Sequence, residues 1–298
     1  GIIIGISSVI IITTIGGSIQ STLTATMNSL GGNMVQAYVE ARYPENDEDW
    51  ATWEQPEMTD SDYVTQDMID GLIEKYPDEV TGVAAQNYLG SGTIKDDADS
   101  KNYANVNLDG ITPEYLESMK LEMHAGRNLT KADNQGKKRV CLIADTMAER
   151  YFAGKDPIGE TLSVATSDGG IFDFVVVGVY VYNQALFGKV DTSIPEKDRV
   201  TELMIPLQTC FKLQGTDRTG YDYFNLMIDP LADVNQATTD VLSYFDEMYA
   251  NNKNFHVSAY NMASDLGMIN TVLTVITIAF SGIAAISLIV GGVGVMNI

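Results

Sequence analysis

Two stretches without one charged side chain bound this sequence: GIIIGISSVIIITTIGG at the start and TVLTVITIAFSGIAAISLIVGGVGVMNI at the end. From Ile269 to Ile298 there is no Asp, Glu, Lys, Arg or His, and roughly 20 apolar residues suffice to cross a bilayer core. The small residues Ser281, Gly282, Ala284, Ala285 and Ser287 suit close helix–helix contact. Gly1 to Ile15 is shorter, about 22 Å as a helix, and a chain starting on Gly without Met reads as a piece of a longer protein. A signal-peptide core is the rival reading there, but no basic flank precedes it. The expectation is a water-exposed domain held between two membrane helices.

Charge placement gives that domain a side. No Lys or Arg occurs before Arg42 or after Lys253, so both junctions lack the positive residues that mark cytoplasmic flanks. The expected placement is a multi-pass cell-membrane protein with its central domain extracytoplasmic. A formal net charge of −22, from 18 basic and 40 acidic residues, excludes nucleic acid as a partner, because phosphate binding rests on Lys and Arg. The same acidity favours cationic partners, or is simply a solvated surface. Cys141 and Cys210 could pair outside a cell, or each be a buried thiol.

Periodicity and turn residues divide the domain. NMVQAYVE (Asn33–Glu40) reads as a strand. The acidic YPENDEDWATWEQPEMTDSD, residues 43–62, reads as an exposed loop with Trp50 and Trp53 as anchors. TQDMIDGLIEKY follows as a helix, capped by Thr65, with Met68, Ile69, Leu72 and Ile73 on one face. VTGVAAQNY is a second strand. The order recurs at the far end: a strand at Tyr221–Ile228, a helix over Ala232–Ala250 with Ala237, Val241, Leu242, Phe245 and Met248 as its stripe, and a strand at Phe255–Tyr260. Two strand–helix–strand units thus bracket a middle that carries a short helix at Thr112–Ser118, the strand Arg139–Ile143, the helix ADTMAERYF, and the strands TLSVAT, DFVVVGVYVY and TELMIPL. The fold class expected is α+β. It has an α/β lobe in two halves (33–91 and 217–264), an inserted mostly β lobe (92–216), and flanking helices at 1–32 and 265–298.

Catalytic patterns are missing. His124 and His256 begin no HExxH motif, the cysteines have no CxxC spacing, and there is neither a GxSxG elbow nor a GxxxxGK[ST] phosphate loop. Asp96, Asp97 and Asp99 lack the DxDxDG spacing of a calcium loop. GGVGVMN at Gly291–Asn297 sits in an apolar run without the strand–turn–helix setting of a nucleotide site. No enzyme activity, cofactor or metal is expected.

The strings GIIIGISSVI, LDGITPEYLESMKLEMHAGRNLTKADNQGKKRVCLIADTMAERYFAGKDPIGETLSV, VVVGVY and ISLIVGGVGVMNI, in this order, resemble the permeases of macrolide-exporter-like (MacB/FtsX-type) ABC transporters, a family that includes lipoprotein-releasing permeases. The resemblance covers essentially the whole chain. It rests on Gly126, Arg127, Asp133, Phe152, Asp156, Pro157, Ile158, Gly159, Gly178 and the Ile205–Leu207 element. It implies four membrane helices per subunit, a porter-like lobe formed by the α/β halves, a cytoplasmic ABC ATPase, a second permease subunit as dimer partner, and an extracytoplasmic adaptor. The implied work is mechanical: ATP-driven motion carried outward to extrude a peptide, drug or lipid-like substrate. Gly291, Gly292 and Gly294 would let helices pack closely, and Asn297 would bond between them. Arg127 would pair with Asp133 to hold the GRNL turn, and Asp156-Pro157-Ile158-Gly159 would shape a turn. The alternative is a membrane-anchored sensor or binding protein without transport, and an extracytoplasmic enzyme stands third.

Overall fold

The structure is a computed structural model that describes residues 7, 10–11, 14–19, 21–22, 33–44, 46, 50–96, 101–188, 193–216 and 218–296. Residues 33–260 form one compact unit, and the two terminal segments, 1–32 and 261–298, group as another.

The α/β lobe is built from both ends of the compact unit. β1 (Met34–Ala41), α1 (Gln66–Lys75) and β2 (Val80–Ala84) supply one half. β10 (Tyr223–Ile228), α7 (Val234–Met248) and β11 (Phe255–Asn261) supply the other. The strands interleave in the order β11-β1-β10-β2, so each strand–helix–strand crossover straddles a strand of the other half, a split βαβ arrangement. β10 runs antiparallel to β1, pairing Ala37 with Phe224, and antiparallel to β2, pairing Leu226 with Val83. Period-2 alternation buries Val35, Ala37 and Ala41 of β1 against the helices. α1 begins where the Thr65 hydroxyl accepts the Met68 N–H, and it buries Ile69 and Leu72. α7 begins at the Asp233 cap and buries Ala237, Thr238, Val241, Tyr244 and Phe245. Its buried face is turned relative to the expected stripe: Met248 is exposed and the aromatic Tyr244 takes the inward position.

The second lobe is a closed barrel. β3 (Gln86–Lys95), β4 (Tyr103–Ile111), β9 (Val200–Pro206), β6 (Val140–Ala144), β8 (Ile171–Tyr180) and β7 (Thr161–Thr166) follow one another around the ring, and a β7–β8 pairing closes it. Closure leaves no open edge along the ring. β5 (Met123–Gly126) adds beside the far end of β8. Short helices α2 (Tyr115–Ser118), α3 (Lys131–Gln135), α4 (Asp145–Phe152), α5 (Gln184–Phe187) and α6 (Leu207–Leu213) fill the connections. The run read as one strand, VTGVAAQNY, is two: β2 ends at Ala84, and β3 leaves for the barrel after the single residue Ala85. Residue 92, where the sequence reading opened the inserted lobe, lies inside β3.

The acidic loop after β1 ends in a 3-10 turn at Asp60–Asp62, held by a Thr59–Asp62 capping box. Tyr249 donates to the Asp62 carbonyl and Asn252 to its carboxylate, pinning the loop to the end of α7. Tyr43, Trp50 and Trp53 cluster with ring centroids 5.3–5.7 Å apart.

Of the two alternatives left open for the cysteines, the structure has the unpaired one: Cys141 and Cys210 are each free and buried. The chain enters the terminal segments through helical residues 14–19 and through α8 (Met262–Met296). Among the described residues, however, no helix is long and apolar enough to cross a membrane. The two flanking transmembrane helices and the multi-pass placement drawn from them are therefore not upheld; the α+β, two-lobed core is.

Candidate functional site

The residues that carried the family resemblance gather mainly at one seam of the barrel. Gly126 ends β5 with φ +74°, and a Cβ there would sit 2.5 Å from the Val177 carbonyl oxygen. A side chain at Gly178, opposite it on β8, would collide with the Arg127 carbonyl oxygen. Two glycines are needed because the chain passes within contact distance of itself. The Arg127 N–H then donates to Val177 O at 2.9 Å. On the other side of the seam, Ile158 N–H donates to the Asp156 carboxylate, Gly159 takes φ +89°, and its N–H donates to Val176 O. Pro157 begins this turn, closed by Glu160 N–H donating to its carbonyl.

Asp133 is the charged centre of that seam. Only 1% of its side chain is exposed, and it accepts from Arg127 Nη1 at 2.7 Å, Lys138 Nζ at 3.0 Å, and the Thr130 amide and hydroxyl. Thr130 in turn caps α3 by accepting the Asp133 N–H. Burial alone would raise the carboxyl pKa, but the bonds from Arg127, Thr130 and Lys138 outweigh it and hold the group well below its ordinary value. Phe152 stands apart, half-buried at the end of α4 against the barrel core and edge-on to Tyr151. Gly291, Gly292 and Gly294 lie along α8, with open space around a Cβ built at Gly292. Asn297 lies outside the described residues, as do Asp97 and Asp99 of the acidic run.

The joint between the lobes was not legible as such in the sequence. α6 belongs to both: Leu207 and Phe211 enter the α/β core while Cys210, between them, enters the barrel core. Gly110 of β4 must be bare because a side chain there would collide with Cys210. Thr209 donates to Lys138 O, and Gln208 N–H donates to Asn134 Oδ1. Thr112 clasps the Ala85 crossing, its hydroxyl accepting from Ala85 N–H and donating to Val83 O. The Arg218 guanidinium lies over the rings of Tyr63 at 4.3 Å and Phe211 at 4.6 Å and pairs with Asp222. Beside this joint a cavity of about 340 Å³ opens between the lobes, lined by Asp70, Glu114, Lys131, Lys137, Gln208 and Tyr221 among others. The signal that could have revealed α6 is the i, i+3, i+4 spacing of Leu207, Cys210 and Phe211 directly after Pro206.

Two further acids were missed. Asp109 of β4 is buried, which raises its carboxyl pKa against a partly offsetting bond from Gln86. Glu202 of β9 is raised by burial and by the nearby Asp109. A Ser–His–Glu grouping of Ser258, His256 and Glu40 puts both oxygens on the same ring nitrogen: His256 Nε2 lies 3.2 Å from Glu40 and 3.3 Å from Ser258, and among the described residues the buried Nδ1 has no partner. A hydrolytic triad needs the nucleophile and the orienting acid on opposite nitrogens of the histidine. Among the described residues no group of three His, Cys, Asp or Glu side chains could hold a metal.

A family model, that of the MacB-like periplasmic core domain, matches residues 1–244. The ABC transporter permease YknZ of Bacillus subtilis (strain 168) is 26% identical over 301 residues, covering 100% of this chain and 67% of that protein. The macrolide export ATP-binding/permease protein MacB of Neisseria gonorrhoeae is 24% identical over 304 residues, covering 100% of this chain and 41% of its own length. The chain thus spans less than half of that exporter. Among solved structures, the periplasmic region of MacB from Actinobacillus actinomycetemcomitans superposes with a TM-score of 0.52 at 18% identity, over 82% of this chain and 95% of that one. That likeness is one of fold.

Proposed function

Because the chain belongs to the family of the MacB-like periplasmic core domain, we propose that it is the extracytoplasmic, transport-coupled part of an ABC transporter permease. In this role it is not an enzyme. It relays movement driven by a cytoplasmic ABC ATPase and works beside a second permease subunit, with an extracytoplasmic adaptor as a further partner. The cargo class is a peptide, drug or lipid-like molecule extruded from outside the cytoplasm.

The observation that carries the reading is the family match over residues 1–244, and the geometry supports it. Contacts of Arg42 with Asn254, Glu40 with Ser258 and Tyr38 with Tyr260 run antiparallel, so β1 begins and β11 ends at the same end of the α/β sheet. Displacement of the chain at that end acts on two adjacent strands at once. α6 then spans the route to the barrel, with side chains in both cores. Packed elements of this kind transmit displacement because interiors resist compression.

The test is to express the full-length protein and ask which ATPase co-purifies with it. Cysteines would then replace Asp70 and Gln135, which line the same interlobe cavity, and be joined by a bifunctional crosslinker. Slowed ATP turnover and export in the crosslinked complex is the expected result. An unchanged cycle removes the barrel from the relay, and a full-length protein that recruits no ATPase removes the transport reading altogether.

A further inference from the structure

A second cavity, of about 320 Å³, lies on the flank of the barrel. Its origin is a mismatch in strand length. β6 pairs antiparallel with β9 through Leu142 and Met204, so β6, which ends at Ala144, reaches only as far as Glu202. Val200 and Thr201 extend past it, and the chain that would continue β6 has already turned into α4. The gap is walled by Met147 and Arg150 of α4, by Tyr182 and Phe187 after β8, and by Ile194, Glu196, Asp198 and Arg199 before β9. Met147 is buried, Tyr182 and Phe187 pack at 5.5 Å, and the Tyr182 hydroxyl donates to the Phe187 carbonyl, which makes that wall rigid and mainly apolar.

Two polar groups in the lining are incompletely served. Thr201 is 9% exposed, and its buried hydroxyl has no hydrogen-bond partner among the described residues. Arg150 is half-buried, donates from Nη1 to the Tyr103 carbonyl at 2.7 Å, and has no ion-pair partner within 4.0 Å among the described residues. A guanidinium carries five donors, so Arg150 has donors left beyond the bond to Tyr103. The charges nevertheless balance: Arg150 and Arg199 face Glu196 and Asp198, and Asp198 already accepts the Tyr103 hydroxyl. An apolar recess with a few convergent polar groups has the make-up of a small-molecule site.

We propose that this recess binds an uncharged apolar molecule through a carbonyl oxygen that accepts from Arg150, with Thr201 as the second donor. The carbonyl of an amide or an ester satisfies the donors and keeps the lining electrically balanced. A carboxylate would bring a third negative charge beside Glu196 and Asp198. The site does not depend on the transport reading: it uses the barrel alone.

The test is a titration of the isotope-labelled full chain, followed by NMR, with N-acetylphenylalanine amide, methyl octanoate and octanoate. A probe of this size binds with Kd on the order of 1 mM. Either carbonyl probe shifting the amides of Met147, Arg150 and Thr201 is the expected result, with the amide favouring a peptide source and the ester a lipid one. Arg150→Met weakens binding about tenfold and the isosteric Thr201→Val about threefold, as expected for lost hydrogen bonds, while barrel amides far from the recess keep their positions. If octanoate alone binds, the ligand class is wrong. If no probe shifts these amides, or Arg150→Met and Thr201→Val both bind as the parent does, there is no such site.

Discussion

The two lobes carry cores of similar make-up but are assembled in opposite ways. The barrel is continuous in sequence: every strand of its ring lies between Gln86 and Pro206, and the ring closes on itself. The α/β lobe is a sheet of four strands whose halves are more than a hundred residues apart, β1 and β2 on one side of the barrel segment and β10 and β11 on the other. Its central pairing, β1 with β10, forms only when the ends of the barrel segment are brought together. That difference predicts an asymmetry, since closing a shorter loop costs less chain entropy: the barrel stands without the α/β lobe, and the α/β lobe does not stand without the barrel.

The largest effect comes from emptying each core. Phe224→Ala removes a fully buried ring that packs edge-on to Phe245, and Phe174→Ala does the same in the barrel. Each costs about 3–5 kcal/mol. Hydrogen exchange in rising urea should show Phe224→Ala releasing β1 and β10 while β4 and β9 stay protected. Phe174→Ala should release both lobes together. Protection of β1 and β10 after the barrel has opened breaks the comparison.

Gly178→Ala ranks next, because the new methyl meets the Arg127 carbonyl oxygen across the seam. The overpacking costs about 2 kcal/mol or more, read as a lower urea midpoint with β5 losing protection first. Gly292→Ala, with open space around it, leaves the midpoint where it was.

Asp133→Asn costs about 2 kcal/mol by weakening charge-assisted bonds to Arg127 and Lys138. The pH dependence follows from the depressed carboxyl. Its contribution is fully present above the ordinary Asp value near 4 and is lost as pH falls from there toward the lower folded-state pKa. Denaturant midpoints of parent and Asp133→Asn should therefore converge below about pH 4. Asp109 has the opposite sign. Its raised pKa makes the ionised form a burden that lifts on acidification, so Asp109→Asn should stabilise by about 1 kcal/mol at pH 7 and by less as pH falls.

Removing the α1 cap is a small and local change. Thr65→Ala loses the hydroxyl that accepts Met68 N–H and costs about 1 kcal/mol. It should fray α1 alone, with the barrel amides unchanged in exchange rate.

Wherever local chemistry decides, the sequence was already readable. Thr65 followed by an apolar stripe specifies α1, and alternation specifies β1, β7 and β10, because 3.6- and 2-residue periods sort side chains before any partner is present. The order of motifs around Gly126, Arg127, Asp133 and Asp156 was likewise visible in the chain. Their convergence was not, since β5, α3, the Asp156 turn and β8 meet only through the pairing of β5 and β7 along one edge of β8. The same holds for α6, whose adjacent Cys210 and Phe211 serve different cores, and for Asp109, an acid inside a strand whose burial depends on what is folded over it.

The uncharged ends set a polar domain between two apolar segments, and the sequence determined that much alone, since the distribution of charge along a chain is independent of its fold. What those apolar segments do as helices was beyond its reach, and the described helices do not meet the length and apolarity of a crossing. Only tertiary structure decided that the two halves of the α/β lobe interleave strand by strand, that the middle closes into a ring, and that one short helix joins them. Each of these depends on contacts between residues far apart in sequence, for which no local pattern carries a signal.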